Sequence, residues 1–272
     1  MNKLLSILAI LFVWLSFSAC EKVIEFDLSG SKEMIVIEAI INNGKGPITV
    51  LVSKTSPYFG TKTDNTVSGA KVSIRMEGKN PIYLNETKPG IYQIENTRAE
   101  SGYWYIVDVE SEGITYSARS YMNHLVPITD LSFSYSDCLG VFKSGYLVHC
   151  YINDPVDQEN YYQLKYFVNG KPADNQGELT LYSDKLFNGK EIGLGQRSSV
   201  FNENDTLTIE LQSIDKAAYD YFSTLENITG NELVQSASPA NQTGNFNNGA
   251  LGYFSAYSYI RRKLIIKDYI QY

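Results

Sequence analysis

Two histidines and three cysteines are the whole supply of imidazole and thiol in this 272-residue chain. A hydrolase built on a nucleophile needs a base beside it. His124 falls at a junction between two strand-rich halves, and His149 lies in a strand next to Cys150, so both read as structural or solvated side chains. The sequence has no G-x-S-x-G turn to lift a serine above a sheet. It also has no H-E-x-x-H, whose two imidazoles would hold zinc from one helix face. Gly193-Leu-Gly195-Gln-Arg-Ser198 faintly echoes a phosphate loop but lacks its last glycine, and reads as a glycine-rich turn. The 30 acidic residues make carboxylate pairs inevitable by chance. A two-carboxylate glycosidase geometry of about 5–9.5 Å therefore cannot be placed by sequence, and a carboxylate-dependent hydrolase with an unassigned site stands as one alternative. Asn153-Asp-Pro-Val-Asp-Gln-Glu159 is rich in oxygen but lacks the glycine and ligand rhythm of a calcium loop, and reads as turn chemistry. The expectation is a protein without catalytic residues, metal or cofactor.

Composition narrows the class further. The 23 basic residues stand against 30 acidic ones, a net charge of -7, so the chain as a whole repels phosphate and nucleic acid is not an expected partner. Arg261-Arg-Lys263 is a short basic run and reads as a solvated strand start. With 43% hydrophobic and 13% aromatic residues, the chain can bury a core and is not a disordered one.

The N-terminus carries a sorting signal. Lys3 precedes an apolar run from Leu4 to Phe17, and Ser18-Ala19 lead into Cys20. The run is too short to cross ~30 Å of hydrocarbon. Small residues directly before a cysteine resemble a bacterial lipobox, in which the signal is cut before the cysteine and its thiol takes a diacylglycerol. Cys20 is thus the expected lipidation site, residues 1–19 the signal and 20–27 a linker. Acyl chains contribute about 0.8 kcal/mol per buried CH₂, enough for a lasting anchor when several are attached.

Two further thiols, Cys138 and Cys150, would lie outside the cytoplasm, where oxidation is permitted. Folding the chain back around Ser144 sets them opposite each other in a hairpin, at a spacing a disulfide accepts. Two reduced, buried cysteines are the alternative, whereas zinc lacks a fourth ligand. Tyrosine, at 21 residues, is the compositional outlier. Tyr253, Tyr257 and Tyr259 share a strand face if the strand is unbroken, with Phe254 opposite. Core packing is one reading of them, and a partner-binding surface is the other.

The elements that must position these residues are strands. Residues 33–41 and 48–53 form a β-branched hairpin around Asn42 to Pro47. Ala70, Val72, Ile74 and Met76 alternate with Lys71, Ser73 and Arg75. Residues 103–109 and 114–118 pair across a turn ending at Gly113. Short strands with Gly or Pro turns predict an immunoglobulin-like or transthyretin-like β-sandwich over residues 28–125. Val126-Pro127 marks a step into a second antiparallel β domain, 126–272. There Asn169-Gly170 closes a hairpin, residues 170–204 read as long loops, and 206–213 is a strand. Asp215 caps a helix near 215–229, and 251–257 and 263–269 are separate final strands.

Several of these stretches together resemble the domain-of-unknown-function 4249 family of Bacteroidetes outer-membrane lipoproteins. They are Cys20-Glu-Lys-Val-Ile-Glu25, Val67 to Ile74, Gly90-Ile-Tyr92, Tyr151-Ile-Asn-Asp-Pro155 with Glu159-Asn-Tyr-Tyr162, and above all Asn245-Phe-Asn-Asn-Gly-Ala-Leu-Gly-Tyr-Phe254. The resemblance implies an outer-membrane lipoprotein held through its acylated cysteine, facing either the surface or the periplasm. It also implies an accessory role beside a TonB-dependent receptor, with an unknown ligand. A fimbrillin-like structural or adhesive protein is the other non-enzymatic reading. Asp205-Thr206-Leu207 resembles the short O-glycosylation acceptor of these bacteria, which would make Thr206 the modified residue.

Overall fold

Alternation of apolar and polar side chains writes most of the secondary structure. A computed structural model describes residues 33–56, 65–137, 144–173, 179–195, 201–229 and 244–267. In chain order the strands are β1 (Ile35–Asn42), β2 (Ile48–Lys54), β3 (Lys71–Met76), β4 (Ile82–Tyr83), β5 (Asn85–Lys88) and β6 (Ile91–Ile94). Next come β7 (Trp104–Ser111), β8 (Ile114–Tyr121), β9 (Ile128–Ser136), β10 (Gly145–Asn153), β11 (Tyr161–Val168) and β12 (Lys171–Pro172). The series ends with β13 (Thr180–Ser183), β14 (Glu191–Gly195), β15 (Thr206–Ile214) and β16 (Leu251–Ile265), and helix α1 (Lys216–Thr229) lies between the last two. The protein is mainly β and sandwich-like, with several antiparallel sheets and one helix among the described residues.

One long sheet runs β12-β11-β15-β16-β1-β2-β6-β5, with β13 also paired to β11. Two smaller sheets, β4-β3-β7-β8 and β14-β10-β9, complete the layers. In β1 the residues Ile35, Ile37, Ala39 and Ile41 point into the core while their neighbours do not, the period of two that a sheet with one buried face requires. They join Val50, Val72, Val107, Val109 and Phe254 in a first core. Val148, Ile152, Leu164, Leu194, Leu207 and Ile209 belong to a second. The cores change over between Met122 and Val126, but the described residues form one compact unit, Glu33–Ser56 with Lys62–Tyr272. The reason is β16: its first half pairs in parallel with β1 and supplies Phe254 and Ala256 to the first core. Its second half pairs antiparallel with β15, and Ile260 and Leu264 pack on the second core.

Three local expectations change. Residues 170–204 are not only loops, since β12, β13, β14 and a short 3-10 turn at Asp184–Leu186 lie within them. The last two strands are one continuous strand of 15 residues. Arg261-Arg-Lys263 sits inside it, because the buried Glu210 carboxylate on β15 faces Arg261 in the register and receives its guanidinium. The short hairpins follow their turn chemistry. Glu112-Gly113 and Asn169-Gly170 carry positive φ at both positions, as a two-residue turn needs to match strand twist.

Candidate functional site

Cys20, the expected lipidation site, lies outside the described residues, as does Cys138. Cys150 is free and fully buried, opposite Leu131 on β9 and Leu194 on β14, and burial pushes its thiol up to about 12. The hairpin does not fold back around Ser144. Ser136 stands opposite Gly145, so Cys150 is one strand length further on. In this register Leu131 stands opposite Cys150, and the expected partner, Cys138, lies outside the described residues.

The three tyrosines do share one face of β16, and the chain's own helix covers much of it. The Tyr253 ring lies 4.7 Å from that of Tyr221 and 4.9 Å from that of Phe222, both on α1. Tyr257 is buried with Tyr161, Ile214 and Ala218 in a third small core, and its phenol is pushed up to about 12, first by that burial. Tyr259 packs against the β1–β2 turn, where its N–H donates to Asn43 Oδ1 at 3.0 Å. Packing against α1 and the turn, the first of the two readings, accounts for these rings. Thr206 begins β15 half-buried, its N–H donating to Asn169 Oδ1 at 3.0 Å, while Leu207 beside it is fully buried.

Among the described residues, the stretches that carry the family likeness are fasteners. Tyr92 donates its hydroxyl to the Val67 carbonyl and accepts the Ala70 N–H, both at 2.9 Å, so Gly90-Ile-Tyr92 ties down the Val67 segment. Glu86 accepts the N–H groups of Gly69 and Gly90, which hold its carboxyl below the usual range. In the oxygen-rich loop, Tyr162 donates to the buried Asp154, whose other oxygen accepts the Gly189 N–H at 2.9 Å. Asp184 accepts the Asn160 N–H at 2.7 Å. Asn245 accepts the Phe254 N–H and donates to the Phe254 carbonyl, both at 2.8 Å. Asn247 accepts the Ser117 N–H at 2.7 Å, and Asn248 donates to the Thr115 carbonyl at 2.8 Å. Side-chain amides thus imitate a strand edge and bind β8 to β16. Two buried carboxylates held this way are turn chemistry, not an acid–base pair. No group of three His, Cys, Asp or Glu among the described residues is placed to hold a metal ion. His124 meets Ser101 at 3.3 Å, and His149 lies on β10 opposite Gly195.

Sequence reasoning did not find a small concavity among the described residues. It opens at the end of the first sandwich with a volume of about 170 Å³. Ile41, Ile48, Ile74 and Met76 form its apolar walls, and Lys79 and Arg98 are the exposed basic residues of its lining. One wall is braced by Tyr105, whose hydroxyl accepts the Glu100 N–H at 2.7 Å and donates to the Glu100 carbonyl at 2.9 Å. Arg75 is anchored by Asp108, which also accepts the Ser117 hydroxyl at 2.5 Å. No sequence motif joins these residues, because β1, β2, β3 and the 97–99 segment meet only in the fold. The arrangement sets exposed basic residues beside apolar walls.

Fold and site together define a sandwich-like β protein with a small cationic cleft. The chain belongs to the family described as Domain of unknown function (DUF4249), whose model matches residues 21–263. No curated protein matches the chain. No helix of the described residues is long and apolar enough to cross a membrane.

Proposed function

We propose that this protein is a lipid-anchored binding module of the cell envelope, held in the outer membrane through acylated Cys20 and serving as an accessory subunit of a TonB-dependent transporter. The observation that carries the reading is one of position. The family match opens at residue 21, directly after Cys20, where an apolar run followed by small residues would be cut. The fold supports binding over chemistry, since its buried polar groups brace loops at the sandwich ends and leave a preformed cleft. A fimbrillin-like role needs a strand that can leave its sheet. β16 sits between β15 and β1, and β1 between β16 and β2, which weighs against exchange of either strand. The test is purification of the acylated protein from outer membranes in mild detergent. A β-barrel receptor should accompany it in near-stoichiometric amount, and recovery of the lipoprotein alone would contradict the accessory role.

A further inference from the structure

We propose that the cleft at the end of the first sandwich binds a small monocarboxylate with an apolar body, such as a branched-chain or aryl-substituted alkanoate. The inference rests on the reading of the chain as a binding module, but not on its anchor or on a transporter partner. Charge argues for an anion. The chain carries a net charge of -7, yet Lys79 and Arg98 are among the lining residues and no carboxylate is. Arg75 pairs with Asp108 on the outer face of β3, so Lys79 and Arg98 are the exposed cations of the lining. Beside apolar walls, where water is partly excluded, a cation-to-carboxylate hydrogen bond is stronger than a neutral one.

Size argues for a small ligand. A cavity of ~150 Å³ lined by apolar side chains admits a benzene ring, so about 170 Å³ seats one ring or a branched alkyl group and excludes a long acyl chain. Ile41, Ile48, Ile74 and Met76 would cover that body while the carboxylate meets Lys79 and Arg98 at the mouth. The Tyr105–Glu100 brace prepares the wall before the ligand arrives, which lowers the ordering cost of binding.

The experiment uses the mature chain with Cys20→Ala, in solution, titrated with 3-phenylpropanoate and with its uncharged amide by calorimetry or NMR. The acid should bind saturably and the amide about tenfold or more weakly, as loss of a charge-assisted hydrogen bond requires. Raising salt should weaken the acid and leave the amide unchanged. Lys79→Gln with Arg98→Gln, both at exposed positions, should weaken the acid about tenfold without changing thermal stability. Equal binding of acid and amide, no saturation by about 10 mM, or indifference of the acid to the double substitution overturns the proposal. These outcomes concern the cleft alone, while the anchor and the transporter stand or fall by membrane measurements.

Discussion

Gly252 lies directly opposite Ile37 in the parallel β1–β16 pairing, with φ at +93°, and a Cβ there would sit 2.1 Å from the Ile37 carbonyl oxygen. Only a residue without a side chain lets β16 approach β1 at this point. The contact is backbone against backbone, so no rotamer change relieves it. Gly252→Ala should therefore destabilise the fold by at least about 2–3 kcal/mol. Urea unfolding measures this directly, and a loss under about 1 kcal/mol would mean that the two strands are not held as described.

Asp215 gives a pH test with an unusual sign. Its carboxylate caps α1 by accepting the Ala218 N–H at 2.9 Å, and it also accepts the Ser120 hydroxyl at 2.7 Å and the Tyr121 N–H at 3.2 Å. Burial raises its pKa above 3.8, and those hydrogen bonds recover only part of the shift. The folded state then holds this proton more tightly than the unfolded state. Its contribution is fully present below 3.8 and is lost as pH rises through the higher folded value. The stability difference between the wild type and Asp215→Asn should fall as pH climbs from about 3.8 and then level off. A difference that grows with pH would contradict this account of the residue.

Much of the scaffold was legible in the residues, because alternation survives wherever one sheet face is buried. The β3 and β15 patterns, the Asn169-Gly170 turn and the Asp215 cap each carry a local physical cause. What escaped was non-local. The residues of β12, β13 and β14 are polar and glycine-rich, and a strand there is decided by its partners. Arg261-Arg-Lys263 looked like a break because Glu210, which meets Arg261, lies on another strand. The family stretches were found by likeness, and those within the described residues act as clamps, such as Asn245 on Phe254 and Tyr92 on Val67. The cleft had no signal at all, since Lys79 follows β3 while Arg98 comes from a separate segment.

Thiol chemistry tests the β9–β10 register. Cys150 is buried and its thiol is pushed up to about 12, so it should resist alkylation in the native protein. In denaturant that protection should be lost, and alkylation of Cys150 in the native protein at the denatured rate would contradict its burial between Leu131 and Leu194.

The anchor is the claim on which the proposed role depends, and metabolic labelling with an alkyne-bearing fatty acid tests it most directly. In the native host the wild-type chain should carry the label and sediment with outer membranes. Cys20→Ala should lose the label and appear in the soluble fraction. An unlabelled wild-type chain, or a Cys20→Ala chain that stays in the membrane to the same extent, would contradict lipid anchoring.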